Sequence, residues 1–407
     1  MTNKNKWIDI SVLNLFIVGL LGILLRSKIV FALPFINYNH LLEGHSHFTL
    51  GGWATLVIMV MMVYELLPAA SNKKIVYQWL LGGIVLGAWG MLIAFILEGY
   101  GIISIIFSTF FIFLTYIFSL VFIMDILKAK PGRSVLLLAI SSTVCLILSS
   151  AGPFIITYIY FTKSFGAFLY RDALFTYLHF QYNGFFSLAI FALLFNHLSK
   201  NMTAKTQKIM YRFAVVLCIS IIPSLFLSYL WQDPNQFFRI IAVAGSLLLL
   251  LTCFLFILSA SSMLANYREE KQVIRFLVFV SMSAFLLKLF LQCFTIFPGI
   301  GNAIFGNRPI IMGFLHLVFL GFVSLFILAF FAKTNLLDSA KASTKIALIA
   351  FAASVIFNEA ILIAQGLATM FMPGSTLFPW LLWVAGICLF MATILIAIAR
   401  IQTKKLK

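Results

Sequence analysis

The chain is predicted to be an all-α polytopic membrane protein with twelve transmembrane helices. Hydrophobic residues make up 63% of its 407 positions and charged residues 10%, where a soluble fold carries about 25% charged residues. Mean hydropathy is +1.10. Apolar runs of roughly 18 residues or more recur from end to end, each long enough to cross a bilayer. No stretch is left for a soluble domain, so residues 1–407 read as one transmembrane domain.

The first run, 8–33, follows Lys4 and Lys6. It has span length and lacks a small-residue cleavage site, so it reads as a retained helix rather than a removed signal. The second, 44–68, ends at Pro68. The third, 75–97, opens after Lys73 and Lys74, and the fourth, 101–127, closes on Lys128, Lys130 and Arg133. A fifth run, 134–160, leads to Lys163 and Arg171. The sixth, 170–198, is followed by Lys200, Lys205, Lys208 and Arg212. The seventh and eighth, 208–230 and 236–265, meet near Arg239, and the eighth leads into Arg268, Lys271 and Arg275. The ninth is 272–296. The tenth, 309–332, lies between Arg308 and Lys333; the eleventh, 342–371, follows Lys341 and Lys345. The twelfth, 376–400, runs out through Arg400, Lys404, Lys405 and Lys407.

These cations fall on alternate sides. Twenty-one lie on the side of both termini and six (Arg26, Lys28, Lys163, Arg171, Arg239, Arg308) on the other, with Lys288 inside a span. Positive loops face the cytoplasm, so both termini are expected there, and an even helix count agrees. The net charge of +17 therefore sets topology and does not point to nucleic acid. The expected partner is the lipid bilayer of a bacterial cytoplasmic (inner) membrane. Cys145, Cys218, Cys253, Cys293 and Cys388 all lie in apolar runs without CxxC or CxxCH spacing and read as small hydrophobes.

One pattern occurs three times. His47, His179 and His316 are each followed at the fifth position by glycine (Gly52, Gly184, Gly321) and at the sixth by an aromatic (Trp53, Phe185, Phe322). The intervals of 132 and 137 residues match a threefold division of the chain. Helices 2, 6 and 10 all run from outside to inside, which sets the three histidines roughly 5–14 Å below the outer boundary. Apolar histidines at matched depth point to a membrane-embedded metal or haem site, because ionisable groups within spans are functional candidates.

Axial haem ligation is expected of His47 and His316, since two imidazoles hold low-spin iron. His45 lies about 200° around the helix from His47, so the two cannot serve one metal; His45 is expected at the boundary or behind the ligands and is kept as a further candidate. His179 either ligates a metal or joins Gln181, Tyr182 and Asn183 in lining a cavity. His40 should precede its helix, and His197 should be solvated at the cytoplasmic edge. Arg171, Arg239 and Arg308, at outer helix mouths, suit haem propionates, and Trp53 is placed among the cofactor contacts. Lys288 and Glu359 share a depth and are expected to form a buried charge pair. Close helix packing accounts for the three glycines.

These residues resemble subunit I of the haem–copper oxidase superfamily, particularly its C-type oxidase and nitric oxide reductase branches. The resemblance implies twelve helices in three pseudo-repeated four-helix arcs, with metal ligands on helices 2, 6, 7 and 10. His47 followed 21 residues later by Pro68, within Tyr64-Glu-Leu-Leu-Pro68, is similar to the family's low-spin haem helix. In helix 10 the family's Gly-His-x-His is here Gly313-Phe314-Leu315-His316. His316 stands for the low-spin ligand, and Phe314 replaces the high-spin one. Helix 6 runs from Arg171-Asp172-Ala173-Leu174 to Asn183-Gly184-Phe185-Phe186, with Phe180 where the copper-ligating histidine is expected. The helix 7 histidine pair is replaced by Ser228-Tyr229-Leu230-Trp231-Gln232-Asp233-Pro234.

The resemblance thus implies a relative that keeps one haem b, lacks the copper and high-spin haem ligands, and does not support four-electron oxygen reduction. Copper would need about three imidazoles. Electron transfer, or binding of or response to a diatomic gas (O2 or NO), is the expected function, beside a respiratory or cytochrome partner subunit. Two other readings stay open. One is a haem-free transporter or accessory respiratory subunit using His179, Gln181, Asn183, Lys288 and Glu359. The other is a metalloenzyme built on His45, His179 and a carboxylate.

Overall fold

The computed structural model describes residues 3–163, 166–198, 202–232, 234–265, 270–371 and 376–404. Of the cations read for topology, Lys200, Arg268, Lys405 and Lys407 lie outside these residues, as does Asp233. Among the described residues there are twelve membrane-length helices and no strand. They are Asn3–Val30, Tyr38–Leu66, Ile75–Glu98, Ile102–Ala129, Arg133–Thr162, Ala167–Leu198, Ala204–Gln232, Gln236–Ala260, Gln272–Phe294, Arg308–Lys333, Ala342–Thr369 and Leu377–Lys404, called spans 1 to 12. A short helix, Pro298–Phe305, links spans 9 and 10.

Burial sorts the spans into an axis and a shell. The apolar windows of spans 6, 2 and 10 are 94%, 83% and 67% buried, against 28% for span 12 and 39% for spans 4 and 8. Successive spans pack side by side, and span 12 closes the ring onto span 1. The three axial spans are those that carry the repeated histidine, and they meet one another at the centre.

The repeat also has a shared backbone form. A π-helical stretch begins directly after each histidine: Phe48–Thr55, Phe180–Phe186 and Leu317–Ser324. Such widened turns leave i→i+4 pairing and are frequent at functional sites. The glycines fall within these stretches and admit close neighbours. A Cβ on Gly184 would lie 2.4 Å from Cys145 Cβ, and one on Gly321 3.2 Å from Ala284 Cβ. The packing explanation holds for these two. A Cβ on Gly52 would instead strike the Phe48 ring of its own helix.

The positively charged end is held by carboxylates. Lys4 pairs with Glu65 (2.5 Å), Lys74 with Asp125 (2.5 Å), Lys333 with Glu270 (2.9 Å) and Arg400 with Asp9 (2.8 Å). Span 2 starts earlier than the sequence suggests. Asn37 caps it by accepting from the backbone N–H groups of Asn39 and His40, so His40 lies in the first helical turn rather than before it.

Candidate functional site

Helix geometry allows only one of His45 and His47 to face span 10, since residues 38–47 are α-helical. The structure turns His47 away. Its ring stacks on Phe95 of span 3 (4.3 Å between centroids, 10° between planes), and Nε2 lies 3.2 Å from the Tyr100 hydroxyl. Burial holds that hydroxyl protonated, above the ordinary phenol range.

His45 takes the opposite side, where its Cε1 would lie 3.6 Å from a Cβ on Gly22 of span 1. It is within electrostatic reach of His316, and Arg26 of span 1 reaches both. His47 thus faces span 3, and His45 is the histidine of this pair on the side of span 1. The reason is azimuth: depth along the helix is nearly the same for residues 45 and 47, but their faces are opposed.

The His316 ring is oriented by its own helix. Nδ1 lies 2.7 Å from the Met312 carbonyl oxygen. A carbonyl can only accept, so Nδ1 carries the hydrogen and Nε2 keeps its lone pair. That is the tautomer and orientation a metal-binding imidazole requires. In His45, Nδ1 is buried without a hydrogen-bond partner. Both rings are half-buried. An uncommitted lone pair, an orphaned ring nitrogen and a nearby arginine fit a bis-imidazole haem with an anionic edge.

His179 is different. Nε2 donates to the Ile221 carbonyl oxygen (2.8 Å), and Nδ1 accepts from the Asn183 amide (3.0 Å). With both nitrogens committed and no exposed surface, it has no lone pair for a metal, and its candidacy as a ligand is withdrawn. In the same span Tyr182 packs edge-on to Phe314 (5.6 Å) and Phe186 to Phe319 (5.6 Å). Among the described residues no three His, Cys, Asp or Glu side chains gather as a metal site. The end of span 7 is tied instead to span 6. Tyr229 bonds Thr176 (2.5 Å), and Asp172 accepts from Trp231 (3.1 Å) and from Gln232.

Lys288 and Glu359 do not pair. Lys288 Nζ, fully buried, donates to Ser187 Oγ (3.2 Å) and the Tyr182 carbonyl oxygen (3.5 Å), between the Tyr182 and Phe285 rings. The Glu359 carboxylate instead accepts from Asn358 (2.9 Å). Equal depth again concealed different azimuths. An amine buried with no carboxylate partner among the described residues is costly in either protonation state, so Lys288→Met is expected to raise the thermal midpoint in detergent by an amount equivalent to about 1–3 kcal/mol. A lowered midpoint would show that the amine stabilises the bundle.

The three arginines at helix mouths divide. Arg308 sits against Tyr38, the first residue of span 2, with its guanidinium 3.2 Å from the hydroxyl, and so joins the two histidine-bearing helices. Arg171 donates to the Phe305 carbonyl and lies over Trp231 (4.2 Å). Arg239 donates to the Pro234 carbonyl (3.2 Å). Both are thus engaged by backbone carbonyls. Trp53, 2% exposed, donates to Ser324 Oγ (3.0 Å) and so ties span 2 to span 10. His197 is exposed, its ring 6.4 Å from that of Phe330.

Two residues at the site escaped the sequence. Arg26 read as an outer topological charge, and Asn358 carried no signal at all. Only the Gly22 and Gly386 positions that flank Arg26 hinted at a crowded interface: a Cβ on Gly386 would lie 2.9 Å from Arg26 Cδ.

No protein-family model matches the chain, and no curated protein does either. Solved structures do. One, a cryo-EM structure of a heme-copper terminal oxidase dimer, superposes with a TM-score of 0.73 at 14% identity, covering 99% of this chain and 84% of that one. At that identity the likeness is one of fold. The chain has the twelve-helix membrane architecture of a heme-copper oxidase.

Proposed function

From that shared architecture, we propose that the chain is a haem b-binding protein of the bacterial cytoplasmic membrane that carries electrons beside a respiratory or cytochrome partner. His45 and His316 would be the axial ligands. One observation carries the reading: His316 is held by the Met312 carbonyl with Nε2 unprotonated and free to bind a metal.

The bound haem would supply a one-electron couple; the protein's own part is to orient two imidazoles, exclude bulk water and set the local charge. A haem held by both His45 and His316 would offer a gas no binding position, which favours electron transfer over gas binding. Copper chemistry is disfavoured because His179 is committed to Ile221 and Asn183. A haem-free transporter or accessory subunit on the same scaffold is the rival reading, and the separation of Lys288 from Glu359 removes its charge pair.

Protein purified from haem-replete cells is expected to give one haem b per chain in a pyridine haemochrome assay, with a six-coordinate reduced-minus-oxidised spectrum. Colourless protein from such cells would favour the rival.

A further inference from the structure

We infer that the groove between spans 1 and 12 holds a phospholipid with an anionic headgroup, in the leaflet at the cation-rich end of the bundle. The site stands whether or not the chain holds haem.

The groove has a volume of about 350 Å³, within the range of about 300–1,000 Å³ that small-molecule sites occupy. Its walls are apolar: Leu13 and Phe16 of span 1, and Ile394, Ala397, Ile398 and Ile401 of span 12. Leu13, Ile398 and Ile401 are exposed, so the groove opens to the lipid side. Its far end is closed inside the membrane. The Phe16 and Phe390 rings meet at 5.5 Å, and a Cβ on Gly19 would lie 2.8 Å from Thr393 Oγ1, so beyond that point the two helices are tightly packed. Ile394 to Lys404 is about 15 Å of helix, and the hydrocarbon of a bilayer is about 30 Å thick. The groove therefore covers one leaflet and stops. An acyl chain fits that length, whereas a partner transmembrane helix would need a seam through the full thickness.

The mouth of the groove supplies the charge. Asp9 of span 1 accepts from Arg400 Nε (2.8 Å) and Lys404 Nζ (2.7 Å), so two cations share one carboxylate. Arg400 is buried and also donates to the Leu336 carbonyl oxygen (2.6 Å) and Asn5 Oδ1 (3.0 Å); it braces the mouth from inside. Lys404 has a side chain 39% exposed. It commits one of its three donors to Asp9 and keeps two for a phosphate. A basic residue at a membrane surface favours anionic over neutral lipid by about fivefold.

The test is native mass spectrometry of the purified chain in detergent, offered phosphatidylglycerol and phosphatidylcholine in equal amounts. Wild type is expected to retain one phosphatidylglycerol per chain that Lys404→Gln releases, with the preference over phosphatidylcholine falling about fivefold. Lys404→Arg, which keeps the charge, should keep the preference. Lys128→Gln removes an exposed cation of span 4 at the same end of the bundle and should leave that lipid bound. Ala397→Phe, which fills the groove, should lower retention of both lipids. Equal loss in Lys404→Gln and Lys128→Gln would show a diffuse charge effect and overturn the inference. Unchanged retention in Ala397→Phe, or a copurifying membrane protein on this face in place of lipid, would overturn it as well.

Discussion

His45→Ala and His316→Ala are each expected to strip haem from the purified protein, whereas His47→Ala leaves it bound. Residues that only orient a metal ligand are commonly worth about 10–100-fold in metal affinity, so losing a ligand should cost at least that and leave less than about a tenth of wild-type haem content. His47 can be removed because its ring rests on Phe95 and Tyr100 of the neighbouring span 3 side, and its loss disturbs packing rather than coordination. Equal haem loss in all three variants would indicate general collapse, and loss at His47 but not at His45 would reverse the assignment.

The second large effect concerns stability. Phe191 of span 6 has no exposed surface and touches five other rings, with centroids at 5.9 Å (Phe195), 4.8 Å (Phe213), 5.9 Å (Phe256), 4.7 Å (Phe285) and 6.3 Å (Phe322). These belong to spans 6, 7, 8, 9 and 10, so a single side chain fastens one half of the shell to the axis. Lipid tails are as apolar as phenylalanine, which removes most of the transfer contribution and leaves tight packing as the stabilising force. Phe191→Ala opens a cavity at that hub and is expected to cost about 3 kcal/mol or more. Phe279→Ala, at a ring that is 60% exposed, serves as the lipid-facing control. Thermal unfolding in detergent should fall by several degrees for the first and remain unchanged for the second. Equal midpoints would show that the aromatic cluster is not a keystone.

Much of the fold was legible because membrane spans announce themselves by length and composition. All twelve runs became helices, most with ends within a few residues of those expected. Span 2 departs most, starting six residues early because Asn37 caps a polar first turn that hydropathy alone does not register. The threefold repeat was legible too, but its meaning was incomplete: His47, His179 and His316 mark the start of π-helical turns, and a periodicity argument built on 3.6 residues per turn cannot foresee them.

The site was legible in depth and illegible in azimuth. His45 and His47 differ by two residues, and what separates them is which neighbour each face meets. That depends on Gly22 of span 1 and Phe95 of span 3, residues far away in sequence. The same limit paired Lys288 with Glu359 on equal depth, although one faces Ser187 and the other Asn358. Arg26 was hidden for another reason. A cation near a helix end looks identical whether it anchors topology or enters a site, and only its bonds to Asn358 and Leu382 distinguish the two.

The account turns on two imidazoles, from His45 and His316, sharing one iron. Near-infrared magnetic circular dichroism of the oxidised protein reports the axial pair directly. A bis-imidazole signature is expected in the wild type and in His47→Ala, and its loss in His45→Ala. The signature surviving in His45→Ala while vanishing in His47→Ala, or no haem band in the wild type, would contradict it.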